Sequence, residues 1–107
     1  MESPETTQLV EIGLSYRYVQ THGWVVNAVS GWLSAYYMEE PRFRVSRRDQ
    51  EMETGMHVWV CEVGGDKVIK RLLMRLQADL PPFHSRQQSL SDGRLRYVLD
   101  MPEPQNR

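Results

Sequence analysis

A chain of 107 residues with 40% hydrophobic and 25% charged side chains is one globular domain with room for its own core, not a chain disordered throughout. The formal net charge of −1 excludes nucleic-acid binding by bulk charge, although a local basic patch is compatible with it. The only cysteine, Cys61, leaves no internal disulfide to form, so a reducing, cytoplasmic setting is expected.

In chain order, MESPETTQ is polar and acidic and lacks the basic and apolar regions of a signal peptide. Residues 1–5 read as a flexible tail. From Thr6 or Thr7 to His22, the residues Leu9, Ile12, Tyr16 and Val19 fall at helical spacing. A first helix is expected there, with Thr7 as N-cap and Gly23 in its stop signal. In the next segment Trp24, Val25, Ala28, Val29, Trp32 and Tyr36 form one stripe, which predicts a second helix. Its β-branched residues and Gly31 weaken it as an isolated helix, so packing must hold it. This stretch is too short and too polar to span a bilayer.

Residues 42–48 read as a first strand with Arg42, Arg44 and Arg48 at alternate positions. After a loop, MHVWVCEV at 56–63 is apolar on both faces and predicts a central strand. GGDKVIKRLLMRLQADLPP admits two readings, a hairpin turn with a long strand or a helix. The spacing of Val68, Ile69, Leu72, Leu73, Leu76 and Leu80 favours a helix over 66–80, stopped by Pro81 and Pro82. Residues 83–93 read as a long polar loop, 94–101 as a last alternating strand, and 102–107 as a tail. The expected fold is a single α+β domain in ααββαβ order. It has two N-terminal helices, a mostly antiparallel sheet of about three strands and one amphipathic helix packed on the sheet.

Four features bear on function. If the strands share one sheet, Arg42, Arg44, Arg94 and Arg96 can share a face, with Trp59 among them in one of two registers. Such a face can grip an acidic protein surface, or stack a base and neutralise phosphates. The acidic residues on either side of the row, Glu39, Glu40, Asp49, Glu51 and Glu53, equally allow a self-neutralised solvent face. Lys67, Lys70 and Arg71 open the third helix, where the helix dipole disfavours cations, and that cost marks a candidate anion contact. Ala28, Gly31, Trp32, Ala35 and Tyr36 place small and aromatic residues along the second helix, which suits close approach of a second copy. VEIGLSYRYVQTHGW resembles a helix-turn-helix with its turn at Gly13. It departs from that pattern at Leu9 and His22, and it lacks a preceding helix.

No catalytic or metal motif is present. His22, His57 and His84 are far apart, and no serine or cysteine has a nucleophile's context. The expectation is therefore a non-catalytic protein-binding module without a cofactor, acting as a regulator, adaptor or inhibitor. Its partner would be another protein with an acidic surface, and it has a possible homodimer contact. The alternative is a nucleic-acid-binding regulator.

Overall fold

The computed structural model describes residues 7–102. The α+β class holds, but the sheet has five strands rather than three. In chain order the elements are β1 (Gln8–Leu14), α1 (Tyr16–Thr21), α2 (Val25–Glu39), β2 (Phe43–Gln50), β3 (His57–Val63), α3 (Asp66–Asp79), β4 (His84–Ser89) and β5 (Leu95–Asp100). The strands lie in the order β2-β3-β1-β5-β4. All neighbours are antiparallel except β1 and β5, which are parallel. The expected tail at 1–5 lies outside the described residues, as do residues 103–107 of the other.

The expected first helix is corrected to a strand followed by one short helix. Val10, Ile12 and Leu14 are fully or almost fully buried and alternate with Glu11 and Gly13 on the opposite face. The segment fits both periods. Its β-branched residues and a place between two strands decide for the extended form. Ser15 then starts the helix: its hydroxyl accepts from the Tyr18 amide at 3.1 Å and donates to Asp100 Oδ1 at 2.6 Å. With Gly13 inside a strand, the helix-turn-helix resemblance does not survive.

The helix expected over 66–80 is present as α3, and α2 also forms as read. The expected loop at 83–93 is corrected to an edge strand, β4, plus a tight turn. Gly93 in that turn has φ +89°, a backbone conformation that favours glycine.

All three helices pack on one face of the sheet. Their buried residues, among them Tyr18, Val29, Leu33, Tyr36, Leu72 and Leu76, join Ile12, Phe43, Trp59, Cys61 and Leu99 in a single cluster. Tyr36 ties α2 to α3 by donating to the Val68 carbonyl at 2.8 Å. Among the described residues the other face carries no helix, yet Met56, Val58, Val60 and Val98 form a second buried cluster there. The connection between β2 and β3 bends over this face. Gly55, at φ +73°, sits where a Cβ would lie 2.6 Å from the Tyr16 ring. Gly13 leaves room for Met56, whose sulfur would be 2.7 Å from an added Cβ. Among the described residues no helix is long and apolar enough to cross a membrane.

Candidate functional site

The arginines expected to form one row are divided between different tasks. Arg42 precedes β2. Its backbone carbonyl accepts from the Gly64 amide at 2.8 Å, its stem lies against Gly64, and its Nε is 3.2 Å from Glu40. Arg44 is exposed and pairs with Glu62 on the neighbouring strand at 2.6 Å. A β-bulge between Val45 and Arg47 then shifts the register. Arg47 joins Arg44 on the helix-free face and pairs with Asp49 at 2.7 Å. Arg48 turns to the helix side, 5.4 Å above the Trp59 ring.

Trp59 is therefore corrected: it is 2% exposed, belongs to the main core, and offers no ring to a ligand. Arg96 is corrected as well. It is buried in a network, with Nε 2.9 Å from Glu11 and Nη2 2.7 Å from Glu51. Arg94 pairs with Glu11 at 3.3 Å and with Asp92 at 2.7 Å. Arg96 in β5, and Arg94 just before it, lie three strand spacings from β2, about 14 Å. They form a roof across the helix-free face, not a shared cationic row with Arg42 and Arg44. Hydrogen bonding from Arg96 holds the Glu51 carboxyl below its ordinary range, against an opposing effect of burial.

The start of α3 also divides. Arg71 reaches back to Glu40 at 3.6 Å, and so belongs with Arg42 in a structural cluster around that buried carboxylate. The Arg42 amide is the largest cause that keeps the Glu40 carboxyl below its ordinary range. Lys67 and Lys70 are exposed and make no ion pair among the described residues. The helix has no side-chain N-cap bond, and Asp66 supplies the only acid in its first turn.

On α2, Ala28, Gly31, Trp32 and Ala35 line a shallow depression together with Asn27. Tyr36 is corrected from this set, because it is 2% exposed and committed to α3. One turn further, the same helix presents Tyr37 and Met38, which are 51% and 82% exposed. With Leu33, Ser34, Arg44 and Val45 they line a groove of about 410 Å³ between α2 and β2. That this end of α2 borders the open edge of the sheet is not legible in the sequence, because strand order is not written in local spacing.

The chemistry of reactive groups is spare. Burial, with Glu11 nearby, pushes the Cys61 thiol up to about 12. Burial and then Arg48 lower the His57 imidazole from its ordinary value. His22 packs edge-on against Tyr18, and His84 opens β4. No group of three metal-ligating side chains occurs among the described residues. No protein family model, curated protein or solved structure matches the chain.

Proposed function

We propose that the protein is a non-catalytic binding module that acts by occupying the surface of another protein, as a regulator, adaptor or inhibitor. One observation carries this reading: large apolar side chains, Tyr37 and Met38, stand exposed beside the arginine-bearing edge strand β2 and flank an apolar groove. Tyr, Met and Arg are enriched in protein contact surfaces, and exposed apolar side chains beside a groove mark such sites. The nucleic-acid reading has less behind it. Every arginine described except Arg48 lies within 3.6 Å of a carboxylate, and Arg94 and Arg96 stand three strand spacings from β2, so the described arginines form no continuous track for a phosphate backbone.

The test is photocrosslinking in an extract of the native host. A photoreactive phenylalanine analogue at Met38 is expected to give discrete protein adducts. The same analogue at Met52, which is 95% exposed on the β2–β3 connection, serves as control. Adducts confined to nucleic acid, or equal adducts from both positions, would overturn the reading.

A further inference from the structure

β2 is an edge strand, and the register shows which of its backbone groups remain unused. The Gly64 amide donates to the Arg42 carbonyl at 2.8 Å, and the Glu51 amide donates to the Met56 carbonyl at 2.9 Å. These two bonds bracket the hairpin. In an antiparallel pair, hydrogen-bonded and non-hydrogen-bonded positions alternate. Counted through the bulge, residues 44, 47 and 49 turn their backbone groups toward β3, while 45, 48 and 50 turn theirs outward. Among the described residues no strand lies beside the outward side.

An added strand would meet two different surroundings on its two faces. On the helix side lies the groove lined by Leu33, Ser34, Tyr37, Met38 and Val45, which Arg44 also lines from the strand edge. On the helix-free side lie Arg44 and Arg47, whose present partners are held only in exposed pairs. Period-two alternation of the incoming strand would therefore set apolar side chains under α2 and acidic ones beside the arginines. Charge and a bulge on an edge strand also guard it against pairing with its own kind. A second copy would add three more arginines and one acid, Asp49, to this edge, so the same charges that deter a copy select an acidic strand.

We propose that β2 takes an extended segment of a partner protein, alternating acidic and apolar residues, as a sixth strand of the sheet, with an apolar side chain seated in the α2–β2 groove. This rests on the protein-binding reading above and names its mode.

The probe is a fluorescein-labelled peptide of alternating glutamate and valine, titrated by anisotropy, with amide exchange followed by NMR. Saturable binding is expected, with slowed exchange at Val45, Arg48 and Gln50. A peptide with lysine for glutamate, and one N-methylated along a single edge, should each bind at least about tenfold more weakly, or about 1.4 kcal/mol. Val45→Pro removes an outward donor without touching the β2–β3 ladder, and should weaken binding to a similar degree. If that variant fails to fold, the N-methylated peptide on the unmodified protein decides. Absence of saturable binding, or equal affinity for the N-methylated peptide, overturns strand addition. A dimer by sedimentation with the same amides already protected would make the occupant a second copy, and also overturns it. Discrete protein adducts from Met38 alongside a failed peptide would sink this mode alone; loss of both would sink the binding reading too.

Discussion

The two faces of the sheet solve the same problem by different means. One face covers Ile12, Phe43, Trp59 and Leu99 with three helices. The other covers Met56, Val58, Val60 and Val98 with no helix, under a bent connection and the network of Glu11, Glu51, Arg94 and Arg96. Long charged side chains can roof apolar surface with their stems while their charged heads pair. An arginine on a sheet face is thus ambiguous until its carboxylate is found. Arg96 serves as roof, Arg42 and Arg71 hold Glu40, and Arg44 and Arg47 face solvent in replaceable pairs.

The largest expected effects fall equally on the two faces. Phe43→Ala on the helix side should cost about 3–5 kcal/mol, as a buried aromatic cut back in a packed core does. Arg96→Ala on the other face should cost a similar ~3–5 kcal/mol, because it breaks the pair with buried Glu11 and leaves that carboxylate only Arg94, at 3.3 Å. Urea denaturation of both variants measures this, and a cost for Arg96→Ala under ~1 kcal/mol would show the roof to be ornamental. Replacing both partners, Glu11→Leu with Arg96→Leu, sharpens the comparison. Removing the pair together should return stability to within about 1 kcal/mol of the parent, since the buried charges vanish with their desolvation cost. A double variant as unstable as Arg96→Ala alone would locate the loss in packing instead of charge.

A smaller effect concerns pH. The Glu51 carboxyl is depressed in the folded protein, chiefly by its hydrogen bond from Arg96. The unfolded chain therefore binds more protons as the pH falls through the carboxylate range. The contribution of this pair is fully present above the ordinary Glu value and is lost as pH falls through the depressed one. Glu51→Gln should lower the melting temperature at neutral pH and converge on the parent in acid. Parallel melting curves across that range would remove Glu51 from the roof.

The smallest effect is expected from Arg44→Thr with Arg47→Thr, which trades two exposed side chains on an edge strand for a residue that suits strands. Its melting temperature should stay with the parent's, while affinity for the alternating acidic peptide falls. A much lower melting temperature would move these arginines from recognition to folding.

The sequence was most legible where one local pattern was enough. In α3 the buried Val68, Ile69, Leu72 and Leu76 follow the helical period, and the paired prolines end it. β3 was legible from its unbroken apolar run. β1 was not, because Val10, Ile12 and Leu14 satisfy period two while Leu9, Ile12, Tyr16 and Val19 satisfy the helical period in the same residues. β4 was not, because an edge strand exposed on most of its length has no apolar alternation to show. The arginine row misled for a geometric reason. Strict alternation would set residue 48 on the face of residue 44, but the bulge after Val45 turns Arg48 onto Trp59 instead. Nor does local spacing reveal that Arg96 belongs to Glu11, which is 85 residues away.

That separation has a consequence in time. β1 is the first strand described and β5 the last, yet they lie side by side at the centre of the sheet. Contacts so distant along the chain must close a long loop before they contribute, which slows folding. A growing chain can pair β1 with β3, but one edge of its most buried strand stays open until the final hairpin emerges. Until then the backbone of residues 10–14 lies along an unpaired central edge, which makes the interval before β5 arrives its period of greatest exposure to aggregation.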